Sequence, residues 1–455
     1  MSPTKTLTLN TRAGDQVRDD TGIEYTLGQV IGRPGLQGVV HRVVGQPDLA
    51  VKLLKSSDDA SRIKSVRRLP LDGMQLAAPL SIICEGGSGY VMRLASDMTP
   101  LAEPYLPREF ASRQNGVWFR ETGGLRRRLA IAANIAQCLA GLHERGLVYV
   151  DLNPNNVMVS NDLSRTETWL IDTDNLTSRS RPEFTLLGFP KYIAPERSLM
   201  KSPPSTFADT YALAIVIFRL LVLCHPLEGI AAEELDGQDA RVAFDTGALP
   251  YVADPHDGAN CLVPDSLHEF LFDVNLDDSM KQLFLRTFGE GRHSPHLRPS
   301  AAKWREALWS AHDNIIDCAH RCGWSYFGDL DRCPACNSPT PPNIICSIAA
   351  EEDSNESTSD KRHIRTTFRL SKERSFAVEG RHLWGTYASL DPFLTFRPIA
   401  HGFELDTHGA AHVVDVTGDR VRQIGYPQST QQLSLRIEVP GRPRRFLLLS
   451  SVDER

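Results

Sequence analysis

Apolar residues recur at helical spacing between Leu125 and Arg145: Leu129, Ala132, Ala133, Ala136, Leu139, Ala140 and Leu142 fall on one stripe, and the run stops at Gly146. The pattern predicts a long helix with a buried face. A second apolar run, Tyr211 to Cys224, follows Asp209 and predicts a buried helix; it contains Arg219 and is too short to span a bilayer. Near the start, two short apolar runs flank Gly45-Gln46-Pro47-Asp48 and predict a tight hairpin with Lys52 on its second strand. Asp58 and Asp59 fit the first turn of a short helix running to Arg68. Beyond His363 the period changes. Thr366–Leu370, Phe376–Val378, Phe393–Phe396, His412–Val416, Leu433–Val439 and Phe446–Leu449 are strand-like runs separated by Gly, Pro and Asp turns. Ala349 to Lys361 is acidic, rich in Ser and Thr and poor in apolar residues, which predicts a flexible linker.

The polar chemistry sits between these elements. The long helix delivers Tyr149-Val150-Asp151-Leu152-Asn153-Pro154-Asn155-Asn156, and Leu170-Ile171-Asp172 ends a later strand on a carboxylate. Asp151, Asn156 and Asp172 together offer a hydroxyl-orienting base and oxygen ligands for magnesium. Gly32, Gly35 and Gly38, with Val40, form a glycine-rich stretch whose backbone N–H groups suit phosphate oxygens, and Lys52 follows on the next strand. Each piece has a plainer reading. A Gly/Pro cluster between strands is usually a turn, a strand Lys is usually solvated, and the Asp-Leu-Asn-Pro-Asn-Asn string is by itself an Asx/Pro turn.

The order of the pieces is what separates the readings. Gly32 to Val40, Ala50-Val51-Lys52, Asp151 with Asn156, Asp172, Gly188-Phe189-Pro190-Lys191-Tyr192-Ile193-Ala194-Pro195-Glu196, Asp209 and Arg298-Pro299-Ser300 resemble, in sequence order, the motifs of a eukaryotic-like bacterial Ser/Thr protein kinase. The resemblance runs from about Gly22 to about Leu308. It implies an ATP- and Mg2+-dependent enzyme acting on protein hydroxyls. Asp151 would be the catalytic base, Lys52 would align the phosphates, and Asn156 and Asp172 would hold Mg2+. Gly32, Gly35, Gly38, Val40 and Met92 would contact the nucleotide, with Met92 and its neighbours as the hinge after the strand Gly89-Tyr90-Val91.

Several positions depart from the family pattern. Tyr149-Val150 stands where many kinases have His-Arg, so no guanidinium is offered there to an activation-loop phosphate. Asn153 replaces a common Lys, and Phe189 replaces a Thr that reaches the catalytic Asp. Asp172-Thr173-Asp174 keeps the metal-binding Asp but loses the Phe and Gly that follow it. Asp174 reads as a surface acid, with a further metal ligand as the alternative. The helix expected to supply a Glu to Lys52 has none: between Lys55 and Leu80 the acids are Asp58, Asp59 and Asp72. Glu85, on a neighbouring strand, is the remaining candidate.

Composition narrows the rest. The chain has 455 residues, is 41% hydrophobic and carries a net charge of −6, enough for two or three cores and unlike a general nucleic-acid binder. Met1 to Gln16 is polar with no secretory signal visible, so a cytoplasmic enzyme without a membrane segment is expected. Cys84, Cys138, Cys224 and Cys261 are scattered, as buried thiols in a reducing compartment are. Cys318, Cys322, Cys333 and Cys336 instead form two close pairs that resemble a zinc ribbon, with His320 as an alternative to Cys318. A structural Zn2+ there would supply on the order of 10–16 kcal/mol of apparent binding energy.

The expected architecture is α+β: a bilobal protein-kinase-like fold, then a small zinc ribbon and a C-terminal all-β domain. The segments are 1–21 (extension), 22–312 (kinase domain, its smaller lobe ending near 95), 313–342 (ribbon), 343–362 (acidic linker) and 363–455 (β-rich domain). This arrangement resembles kinases that accompany von Willebrand factor A-type proteins and PP2C-type phosphatases in bacterial stress and tellurite-resistance neighbourhoods. The resemblance implies those partners beside a protein substrate.

Overall fold

The structure, a computed structural model, describes residues 11–32, 38–55, 59–106, 114–179, 188–350, 363–385, 389–428 and 432–451. The chain divides into two compact units. The first comprises Met1–Ala111, Ile131–Glu269 and Lys281–Trp304; the second comprises Ser112–Ala130, Phe270–Met280 and Arg305–Arg455.

The first unit begins with six antiparallel strands: β1 (Gln16–Asp19), β2 (Glu24–Ile31), β3 (Gly38–Val43), β4 (Gln46–Leu54), β5 (Pro79–Glu85) and β6 (Gly89–Arg93). They close in the order β1-β2-β3-β4-β6-β5. Helix α1 (Asp59–Val66) links β4 to β5. Alternation along β4 divides its side chains. Val51 and Leu53 join Val17, Tyr25, Leu27, Val43, Ile83 and Val91 in one apolar cluster. Ala50 and Leu54 face the other way, against Ile63 of α1, Ala77, Ile82, Tyr90 and Met92. Lys52 lies between Ala50 and Leu54 and therefore shares their face. The first strand corrects the expected N-terminal extension. Val17 is buried, and buried Asp19 accepts hydrogen bonds from Thr21 N (3.0 Å), Ile23 N (3.0 Å) and Tyr25 Oη (2.9 Å), locking the hairpin to β2. A short polar string hides this role because its stabilising partners are the turn that follows.

The predicted long helix spans Gly124–Glu144, and the residues of its apolar stripe are buried. Gly146, at φ +73°, turns the chain after it. The predicted apolar helix spans Thr206–Val222 and is capped by Ser205 Oγ, which accepts from Ala208 N at 3.2 Å. Among the described residues no helix is long and apolar enough to cross a membrane.

In the second unit, Ile315–Asp317 pairs with Ser325–Phe327, and two further sheets follow. One has the order His363–Ser371, Asn343–Ala350, Arg445–Ser451, Leu433–Glu438, His412–Val414; the other runs Phe376–Glu379, Pro392–Ile399, Gly402–Thr407, Gln423–Gly425. Ile344, Cys346, Ile348, Phe368, Phe396, Phe403, Leu447 and Leu449 from both sheets form one core. A short helix, Gly380–Trp384, interrupts the strands. Asn343–Ala350, expected within the linker, is an interior strand paired on both edges. Its apolar residues serve both faces, so it lacks the alternation that marks the other strands. The remainder of the expected linker, 351–362, lies outside the described residues.

Candidate active site

The Lys52 ammonium donates to two carboxylates, Asp172 Oδ1 and Asp174 Oδ2, the latter at 2.5 Å. Asp174 also accepts from the Tyr90 hydroxyl. The surface reading of Asp174 is therefore overturned: its side chain is 3% exposed, against 34% for Asp172. Burial alone would lower the Lys52 pKa, but the charges of Asp174 and then Asp172 outweigh it and hold the ammonium protonated. Burial, reinforced by the Asp174 charge, pushes the Tyr90 phenol well above its ordinary range, so it remains a donor. Glu85 does not reach the site. It lies 3.6 Å from Arg18, with 64% of its side chain exposed. From α1, Arg62 Nη1 donates instead to Asn175 Oδ1 at 3.1 Å.

The catalytic-loop residues are held from below by Asp209. Its carboxylate accepts from Tyr149 N at 2.7 Å, Val150 N at 2.9 Å and His143 Nε2 at 3.0 Å. These bonds fix Val150 at φ +80°, a left-handed conformation that a β-branched residue adopts only when its surroundings impose it. The Tyr149 hydroxyl donates to the carbonyl of Ile171, tying the loop to the residue before Asp172. Asp172 itself sits at φ +59°.

Asp151 is positioned by two amides. Asn153 Nδ2 donates to its Oδ1 at 3.0 Å, and Asn156 Nδ2 donates to its Oδ2 at 3.1 Å and to its carbonyl at 2.9 Å. Burial raises the Asp151 pKa to about 6; the Asn153 bond opposes this and the nearby Asp172 charge adds to it. Asn153, which stands where a Lys is common, thus holds the Asp151 carboxylate. With Asn156 Nδ2 committed, its Oδ1 is the atom free to accept a cation. No hydrogen bond to Asn156 Oδ1 or Asp172 Oδ2 occurs among the described residues. Two neutral or anionic oxygens of this kind fit Mg2+, a hard ion that prefers oxygen ligands.

The nucleotide residues divide. Gly35 lies outside the described residues. Gly32 adopts φ +67° with open space where a Cβ would point. Gly38 opens β3, where a Cβ would stand 2.3 Å from the Leu53 carbonyl oxygen; strand pairing alone requires glycine there. Val40 is the register partner of Lys52 and packs at the edge of the Ala50 cluster. Met92 lies inside β6, paired with Ala50, and is buried in that same cluster. Its place is therefore within the strand and not after it, and Leu94 is the residue that follows β6.

Glu196 and Arg298 form a two-point ion pair, both bonds 2.8 Å, with the Arg298 side chain fully buried. Thr177 and Ser178 pair with Leu147–Val148, whereas Ser180 and Thr185 lie outside the described residues.

In the second unit the Sγ atoms of Cys318, Cys322, Cys333 and Cys336 lie within 4.8 Å of one another, with Cys318–Cys336 and Cys322–Cys333 both at 3.6 Å. Four ligands about 2.3 Å from a tetrahedral Zn2+ would be spaced much like this. Cys318 belongs to the cluster and exposed His320 does not. The segment carrying the thiols is anchored locally: Arg120 Nη1 donates to the Cys322 carbonyl at 2.9 Å, Arg126 Nη2 to that of Ile315 at 2.9 Å, and Phe119 stacks on Trp324 at 5.4 Å.

A family model for the protein kinase domain matches residues 25–303, more than half of the chain. The chain belongs to the protein kinase family. Among its curated relatives, the serine/threonine-protein kinase PkaB of Streptomyces coelicolor is 29% identical over 243 residues, covering 46% of this chain and 51% of that protein. The protein kinase YegI of Escherichia coli O157:H7 is 26% identical over 215 residues, covering 46% of this chain and 32% of that protein. The chain thus spans about half or less of the curated relatives' lengths.

The residues that motif reading missed are Asp174 and Tyr90. Both were visible only as an acid in a polar string and an aromatic in a strand, and they are brought together across 84 positions of chain.

Proposed function

We propose that this chain is an ATP- and Mg2+-dependent protein kinase that transfers the γ-phosphoryl group to Ser or Thr hydroxyls of a partner protein. The observation that supports this reading is that Lys52 bonds Asp172, Asn156 bonds Asp151, and the two carboxylates lie near enough for the charge of one to act on the other. The intact Glu196–Arg298 pair and the buried Asp209 support a protein rather than a metabolite as acceptor, because both belong to the lobe that receives a peptide. Asp151, ionised above about pH 6, would accept the proton of the substrate hydroxyl while Asn153 and Asn156 hold its orientation. Lys52 would align phosphate oxygens. Asn156 Oδ1 and Asp172 Oδ2 would hold Mg2+, which supplies charge neutralisation when bound. Met92, Val40 and Ala50 would pack against the base, and Gly32, Gly35 and Gly38 would line the phosphate side.

The setting we infer is cytoplasmic signalling in a bacterial stress response, with a von Willebrand factor A-type protein and a PP2C-type phosphatase as partners. That setting rests on the resemblance of the overall architecture. The Cys318, Cys322, Cys333 and Cys336 site would hold a structural Zn2+ with all four positions filled. Metal analysis should find about one zinc per chain, lost in Cys333→Ser together with part of the thermal stability; an unchanged metal content in that variant would remove the zinc reading.

Radiolabelled ATP tests the activity. Phosphate incorporation into protein should fall by about 10²–10⁴ in Asp151→Asn. Equal incorporation in both proteins would favour a nucleotide-binding scaffold, a reading that the double capture of Lys52 also accommodates. Labelled metabolites without labelled protein would point to a small-molecule kinase.

A further inference from the structure

Protein phosphotransfer in this family is expected to use an acid on the helix after β4 to hold the phosphate-aligning lysine. Helix α1 carries its sole acid at Asp59, its first residue, and the positions that follow are Ala60, Ser61, Arg62, Ile63, Lys64, Ser65 and Val66. Its Ile63 and Val66 are buried, Ile63 beside Tyr90, and its Arg62 reaches Asn175. Through Arg62 the helix therefore holds the turn Thr173–Asn175. That turn carries Asp174.

The two carboxylates on Lys52 are not equivalent. Asp174 is sealed in and both its oxygens are used, one by the ammonium and one by the Tyr90 hydroxyl. Tyr90 is itself fully buried and is the β6 register partner of Lys52, so strand pairing fixes the two donors that meet on Asp174. Asp172 is partly exposed and keeps one oxygen open. One ammonium between two carboxylates leaves an excess negative charge that a cation would neutralise. The accessible acid is the one able to turn to it.

We propose that Asp174 is the positioning residue for Lys52: it takes over the part of the helix acid, and it keeps the ammonium in place when Asp172 leaves for the metal. This rests on the kinase reading above. It follows that the orientation of Lys52 does not depend on a swing of α1, because the acid, its tyrosine anchor and the lysine all lie on β4, β6 and the turn after Asp172.

The test is a double-mutant cycle on the affinity of the full chain for MgATP. Asp174→Asn keeps shape and loses charge. It should weaken binding about tenfold or more, Lys52→Met should do the same, and the double variant should be no worse than Lys52→Met alone. Asp174→Glu should recover part of the loss. Tyr90→Phe removes only the anchoring hydroxyl and should weaken binding in the same direction by a few-fold, no more than about fivefold; it replaces Asp174→Asn in the cycle if that variant fails to fold by its melting profile. Binding of Asp174→Asn equal to the unmodified chain, or additive losses in the double variant, would overturn the proposal. Failure of the kinase reading looks different: a coupled cycle in binding with no Asp151-dependent transfer to protein would leave Asp174 in its role and remove the activity.

Discussion

Two buried clusters of charge, one in each unit, are built to opposite ends. In the second unit Asp313 receives both Arg381 amino groups at 2.6 and 2.8 Å, His382 Nε2 at 3.1 Å and His312 Nδ1 at 3.2 Å. Its side chain is 1% exposed, and the Arg381 guanidinium stacks over Trp309 at 4.2 Å. Burial would raise the Asp313 pKa, but the Arg381 charge outweighs it and keeps the carboxylate ionised at all ordinary pH. Burial also drops His312 to about 4, so it stays neutral. Both Asp313 oxygens are taken by donors. Around Lys52 the count is uneven: two acids share one ammonium, a third acid, Asp151, stands near enough to feel Asp172, and Asp172 is partly exposed to solvent. A saturated network serves to hold elements together. A network with surplus acceptors is suited to a cation.

The sharpest break between the two is functional. Lys52→Met or Asp151→Asn should reduce phosphate transfer by about 10²–10⁴ while leaving the melting temperature of the second unit in place. The opposite pattern is expected from Asp313→Ala. It leaves the buried Arg381 guanidinium with Glu379 as its remaining carboxylate, so it should destabilise the second unit by about 3 kcal/mol, read as a fall in its denaturation midpoint, with nucleotide affinity unchanged. If both changes altered both properties alike, the contrast drawn here would be wrong.

A smaller effect concerns the cost of readiness. The folded Asp151 pKa is raised from 3.8 to about 6, so between those values the folded protein binds more protons than the unfolded chain. Stability from this group therefore falls as pH rises through that window and stays reduced above it. Asp151→Asn should raise stability by about 1–3 kcal/mol above pH 6 and by little at pH 4. In the unmodified chain the same group sets the acid limb of activity: kcat/KM should fall about tenfold per pH unit below about pH 6. A flat profile down to pH 4 would contradict the role given to Asp151.

What could be read from the residues was what local pattern and order determine. The helix stripe from Leu129 to Leu142, the hairpin carrying Lys52 and the four clustered thiols each leave a signal within a short window. Asp151, Asn156 and Asp172 stood out because their spacing is short and ordered. Asp174 was not, because its meaning depends on Tyr90 and Lys52, both distant in sequence; in isolation Asp-Thr-Asp-Asn is an ordinary polar turn. Asn343–Ala350 was missed for a different reason. Buried on both faces, it lacks a period of two, and the acidic stretch after it masked its end. Gln16–Asp19 was hidden by its brevity, with Val17 and Asp19 as its only buried residues.

The most direct measurement is a crystal structure of the full chain with Mg2+ and a non-hydrolysable ATP analogue. The account predicts that Asp172 leaves Lys52 to join Asn156 on the metal, while Asp174 remains on Lys52 with the Tyr90 hydroxyl still attached and the ammonium turned to the phosphates. A bound nucleotide with Lys52 detached from Asp174, or with an acid of helix α1 in its place, would contradict it.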